Sequence, residues 1–90
     1  MDKIRPVVVL TRRRVAGRLS RILVAPVTTT VRGIATEVPL GSREGVRRGS
    51  VANLDNTQLI PKGMLLQRAG RIGPERWHEF CRAMTAVMSC

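Results

Sequence analysis

Two apolar runs in this chain end in groups suited to phosphate chemistry. Arg5-Pro6-Val7-Val8-Val9-Leu10 opens on a guanidinium, and Val24-Ala25-Pro26-Val27-Thr28-Thr29-Thr30 closes on a row of hydroxyls. A guanidinium fork matches phosphate oxygens bidentately. A threonine hydroxyl can donate or accept at the same phosphate. Side chains alternate along a strand, so Thr28 and Thr30 share one face and Thr29 takes the other. Only one parity of the run can therefore meet Arg5. Other catalytic parts are scarce. The single histidine, His78, follows Trp77 in a helical pattern and reads as a surface or packing residue. Paired carboxylates, a phosphate-cradling glycine motif and metal-ligand spacings are not seen in the sequence, so neither a metal nor a cofactor is expected.

Charge narrows the partners. Sixteen Lys and Arg oppose 6 Asp and Glu, a formal net charge of +10 in 90 residues. Most of the cations are arginine, the better planar phosphate binder. Polyanions follow as partners: nucleic acid or an acidic protein. The apolar runs are strand-length, far below the roughly 20 residues of a membrane span. The first of them, Val7 to Leu10, is too short for the core of a signal peptide. A cytoplasmic protein without a membrane partner is expected. Cys81 and Cys90 fall on a predicted helix about 13 Å apart, beyond disulfide reach, and read as free thiols. Ninety residues make one domain, 1–90. A chain of this size buries a modest fraction of its surface, and dimerisation is a common remedy.

The elements that would position these groups are short. Ile4 to Thr11 reads as a strand buried on both faces. Arg12-Arg13-Arg14 through Arg18 reads as an exposed connection. Arg21 to Thr30 is a second strand, where Pro26 points to a bulge or an edge position. Val31-Arg32-Gly33 is a turn and Ala35 to Leu40 a third strand. Gly41 to Gly49 is a basic, glycine-rich loop. Ser50 to Leu54 and Thr57 to Ile60 are strands joined at Asp55-Asn56, and Pro61-Lys62-Gly63 ends them. Met64 to Ile72 reads as a last strand. Gly73-Pro74-Glu75 then starts a helix, with proline at the first turn and an acid at the positive end. On it Trp77, Phe80, Cys81, Met84, Val87 and Met88 form one apolar stripe. The sum is a mainly β fold, a small barrel-like sheet of short antiparallel strands with a C-terminal α-helix.

The order of these pieces resembles the MazF/PemK-type toxins of type II toxin–antitoxin systems. In that family a strand begins with Arg-Pro and a run of valines, here Arg5-Pro6-Val7-Val8-Val9. A second strand carries a Pro-x-Thr-Thr-like segment, here Pro26-Val27-Thr28-Thr29. Gly33 with Glu37-Val38, then Val51-Ala52-Asn53-Leu54-Asp55-Asn56, and finally Gly70-Arg71-Ile72-Gly73 follow in order. The resemblance spans residues 4 to 90. It implies a small SH3-like or CcdB-like barrel. It also implies one further strand ahead of Arg5, where this sequence has only Met1-Asp2-Lys3-Ile4.

The resemblance further implies metal-independent cleavage of single-stranded RNA, whether messenger, transfer or ribosomal. The substrate's own 2′-OH attacks, leaving a 2′,3′-cyclic phosphate and a 5′-hydroxyl. The protein then has to stabilise a dianionic phosphorane and manage two protons. Arg5 is implied as the main electrostatic and acid/base group, with Thr28 beside it, although an ordinary arginine is a poor general base. Thr30, Arg32, Asn56, Arg12 and Arg71 are the candidate RNA contacts. Plainer readings stand beside these: Thr28 as a strand former, Asn56 as a turn residue, and Arg12 to Arg14 and Arg47-Arg48 as solvated loops. The implied partners are single-stranded RNA, an acidic antitoxin and a second copy of the chain. The competing functions are a non-catalytic basic RNA-binding module, an inactive shortened homologue of the toxins, and a small-barrel toxin that acts on a protein. Single-strand binders usually stack bases on aromatic side chains. The only such residues here, Trp77 and Phe80, lie on the helix stripe.

Overall fold

The computed structural model describes residues 5–12 and 16–88. The expectations placed on Ile4, Arg13, Arg14 and Cys90 fall outside the described residues. The elements are β1 (Val7–Val9), β2 (Arg21–Thr28), β3 (Glu37–Leu40), β4 (Ser50–Asn53), β5 (Gln58–Pro61) and α1 (Trp77–Met88). Single 3-10 turns occupy Ser42–Glu44, Leu54–Asn56, Lys62–Met64 and Pro74–Arg76.

The longest strand, β2, organises the sheet. All its pairings are antiparallel. Its first half pairs with β5, from Arg21↔Pro61 to Val24↔Gln58. Its middle pairs with β1, from Val24↔Val9 to Pro26↔Val7. Its end pairs with β4 through Val27↔Ala52 and Thr28↔Val51, and β4 in turn pairs with β3. The ladder order is β1-β2-β4-β3, with β5 also on β2.

Pro26 was expected at a bulge or an edge, yet it sits in this central strand. The register explains how. Val27 donates its N–H to the Pro6 carbonyl at 3.1 Å, toward β1. Successive backbone groups alternate sides, so the Pro26 nitrogen faces the other side. There the β5 pairing has ended at Val24 and the β4 pairing has not begun. The missing donor costs no ladder bond.

The expectation of a barrel-like closure is corrected. Strand β1 contributes only Val7–Val9 to pairing, and no ladder joins it to β3 among the described residues. The sheet is open. The expected last strand over Met64 to Ile72 is also absent: after the turn at Lys62–Met64 the chain runs irregularly to 73. That segment docks on the 41–49 loop instead. Gly45 has φ of 81°, and a side chain there would run into the Ala69 carbonyl, while one at Gly70 would run into that of Glu44. Two glycines let the backbones touch.

The core gathers Val8, Ala25, Val27, Val38, Leu40, Ala52, Leu54, Phe80 and Ala83. The helix packs over β3 and the Leu54–Asn56 turn. Its buried face is narrower than the expected stripe. Phe80 and Ala83 are buried and Met84 packs beside them, whereas Cys81, Val87 and Met88 are exposed. Trp77 lies at the margin, its ring 5.2 Å from that of Phe80.

Burial also alternates at the end of β2: Val27 enters the core and Thr28 turns away from it, half-buried. Phe80 is the largest fully buried side chain. Its replacement by alanine should cost about 3–5 kcal/mol, read as a lower urea midpoint at unchanged slope.

Candidate active site at the end of the central strand

The Val27–Pro6 hydrogen bond fixes the site. Thr28 is one residue beyond Val27 and Arg5 one residue before Pro6, so the backbone brings the two sequence motifs to adjoining strand ends. A cleft of about 450 Å³ opens there, lined by Pro6, Thr28, Thr29, Gly45, Arg47 and Ser50 among others. Thr28 Oγ1 accepts the Thr30 N–H at 3.0 Å. That bond orients the oxygen and leaves the hydroxyl's own proton available to donate. Thr30 thus serves Thr28 through its backbone, with its side chain exposed. Arg5 is exposed and has no acidic partner among the described residues.

Arg47 lines the same cleft; the sequence offered the Arg47-Arg48 pair of the basic loop either as solvated residues or as RNA contacts, without singling out Arg47. Its carbonyl accepts both the Ser50 N–H at 3.2 Å and the Ser50 Oγ–H at 2.6 Å. Ser50 is 3% exposed. The turn is therefore held by backbone and serine, and the Arg47 guanidinium stays unpaired by acid among the described residues. The two stretches are 19 residues apart, counting from Thr28 to Arg47. The β2–β4 ladder, Val27↔Ala52 and Thr28↔Val51, brings them together.

The other expected contacts separate. Arg32 is built into an ion-pair brace, with Nη2 3.0 Å from Asp55 Oδ2 and Nε 3.4 Å from Glu37 Oε2. Nη2 also donates to Asn53 Oδ1 at 3.3 Å. The Glu37 carboxylate accepts the N–H groups of Arg32 and Gly33 at 3.0 and 2.9 Å. This brace sits at the Asn53 end of β4, whereas Thr28 lies opposite Val51. Asn56 is exposed in the turn beside Asp55, at the brace end. Arg12 is exposed beyond the far end of β1 from Pro6. Arg71 is exposed and follows Gly70, whose backbone abuts Glu44 and Gly45 at the cleft rim. Arg5, Thr28 and Thr30 therefore share one locality with Arg71 at its margin, while Arg12, Arg32 and Asn56 lie elsewhere.

Comparison with known proteins gives the chain a family. Residues 1–88 match the family described as PemK-like, MazF-like toxin of type II toxin–antitoxin system. The chain belongs to this toxin family. It is 54% identical over 61 residues to endoribonuclease MazF3 of Mycobacterium tuberculosis, a match spanning 68% of this chain and 59% of that relative's length. It is 43% identical over 88 residues to the probable endoribonuclease MazF5 of the same organism, covering 96% of this chain and 80% of the relative. Among solved structures, the Mycobacterium tuberculosis toxin MazF-mt6 superposes with a TM-score of 0.90 at 41% identity, covering 97% of this chain and 88% of that one. The PemK/MazF-like fold in this chain is the mostly antiparallel sheet with a C-terminal helix, and its sheet is open.

Burial pushes the Glu37 carboxyl up, but the N–H groups of Arg32, Gly33 and Ile34 and the Arg32 guanidinium outweigh it and hold its pKa below the ordinary 4.5. A carboxyl lowered on folding stabilises the fold above its unfolded pKa and loses that contribution as pH falls through the folded value. Wild type should therefore be more stable than Glu37→Gln at neutral pH. In urea titrations at several pH values that difference should shrink as the pH drops below 4.5. A pH-independent difference would show that the charge of the brace does not matter.

Proposed function

We propose that this chain is an endoribonuclease toxin that cleaves single-stranded RNA without a metal, in a sequence-selective way. The observation that carries the reading is the Thr28 hydroxyl, its oxygen accepting the Thr30 N–H and its own proton left to donate, in a cleft joined by hydrogen bonding to the segment just before β1 that holds Arg5 and Pro6. The family's description as a toxin of a toxin–antitoxin system supports it, as does the name endoribonuclease carried by the relatives.

In the proposed reaction the substrate's 2′-oxygen attacks phosphorus, the P–O5′ bond breaks, and the 2′-hydroxyl loses its proton while O5′ gains one. The products are a 2′,3′-cyclic phosphate and a 5′-hydroxyl. Negative charge grows on the non-bridging oxygens, where the Arg5 guanidinium and the Thr28 O–H are suited to stabilise it. Arg47, which lines the same cleft, adds positive charge there. The excess of arginine draws the RNA in. It also suits neutralisation by an acidic antitoxin segment. A second copy of the chain would cover the apolar side chains that β5 and its following turn expose, Leu59 at 63% and Met64 at 64%.

Purified protein should cut a long, unstructured RNA in EDTA and leave cyclic phosphate ends. Arg5→Ala and Thr28→Ala should each lower the rate by about 100-fold or more, and Thr28→Ser should retain most of it. Salt-dependent RNA binding without any cleavage would instead mark a binding module.

A further inference from the structure

The 41–49 loop has a cleft on each side. One is the Thr28 cleft. The other, of about 520 Å³, is lined by Pro39, Ser42, Arg43, Glu44, Arg48 and Arg76 among others. Consecutive residues divide between them: Arg47 lines the first and Arg48 the second. We propose that the second cleft is a subsite for the phosphates of RNA flanking the cut bond, with Arg43 and Arg48 as its ligands. This rests on the ribonuclease reading of the Thr28 cleft.

Charge pairing separates these arginines from the structural ones. Arg76 in the cleft floor is committed: it meets Glu79 at 2.7 Å and Glu44 at 3.3 Å, and donates to the Pro39 carbonyl at 2.6 Å. Glu44, 8% exposed at its side chain, also accepts the Gly41 N–H at 2.7 Å. Its negative charge is answered on both sides. Arg43 and Arg48 are exposed and have no acidic partner among the described residues. The cleft thus presents two unanswered guanidinium groups beside an Arg76 already held by two carboxylates. Consecutive Cα atoms are about 3.8 Å apart, so Arg47 and Arg48 set the two clefts side by side across the loop. A guanidinium fork suits each phosphate bidentately. The loop that holds both arginines is fixed by Gly45 against Ala69 and by the Arg47–Ser50 turn, neither of which uses an Arg43 or Arg48 side chain. Their removal should leave the fold intact.

The test measures binding of 2′-O-methyl oligonucleotides, which lack the attacking hydroxyl, at several salt concentrations. Oligomers of about 4 and about 16 nucleotides bracket the usual site sizes of small single-strand-binding domains. Each phosphate neutralised contributes about 0.7 to the slope of log affinity against log salt for single strands, so Arg43→Ala/Arg48→Ala should lower the slope for the long oligomer by about 1.4. The slope for the short oligomer should stay as in wild type. In cleavage of long RNA the same variant should raise KM and leave kcat unchanged. Arg18→Ala/Arg82→Ala, an equal loss of charge at exposed positions outside both clefts, is the control. Equal slope changes in the control and the cleft variant overturn the proposal. An unchanged slope for the long oligomer also overturns it and points to an acidic polypeptide as the occupant. If wild type binds RNA but never cuts it, the ribonuclease reading fails while the slopes still decide the subsite. If wild type binds no RNA, both fail.

Discussion

Pairing along β2 is the constraint on which the rest of the molecule depends. One strand of eight residues, Arg21–Thr28, holds β5, β1 and β4 in succession. Its proline is tolerated because its donorless nitrogen meets the gap between two partners. Its last residue escapes the core because Val27 occupies the inward position. The Val27–Pro6 bond then ties that end to the start of β1. The position of Thr28 is a consequence of sheet register, held by backbone hydrogen bonds and not by contacts among the side chains of the cleft.

Acidic residues are few, and the fold concentrates them. Glu37 and Asp55 meet Arg32, while Glu44 and Glu79 meet Arg76. The first cluster braces the connection from β2 to β3 against β4. The second ties the helix start to the basic loop and to the Pro39 carbonyl. Both clusters are only partly exposed, and in each one carboxylate accepts backbone N–H groups as well, Glu37 from Arg32 and Gly33 and Glu44 from Gly41. Arginines with structural duty are thereby set apart from those that face solvent without an acidic partner, a division that net charge alone conceals.

The order of strands and the helix were legible in the sequence because β-branched runs, glycines and Pro74 carry local signals. The barrel closure and the strand over Met64 to Ile72 were not realised. An apolar run predicts a strand only when a partner edge is within reach, and here the segment leans on Gly45 through Gly70 instead. The helix stripe was read too broadly, because periodicity shows which residues share a face but not how much of that face is covered.

By itself the sequence determined the basic character, the mainly β architecture with its C-terminal helix, and the family motifs that single out Arg5 and Thr28. These follow from composition and from short-range patterns. The tertiary structure decided which arginines are committed to acids, that Arg47 lines the same cleft as Thr28, and that Arg32 braces β4 at its Asn53 end. The physical reason is that cross-strand register places residues side by side regardless of their separation in the chain, and register is settled only when the whole sheet has formed.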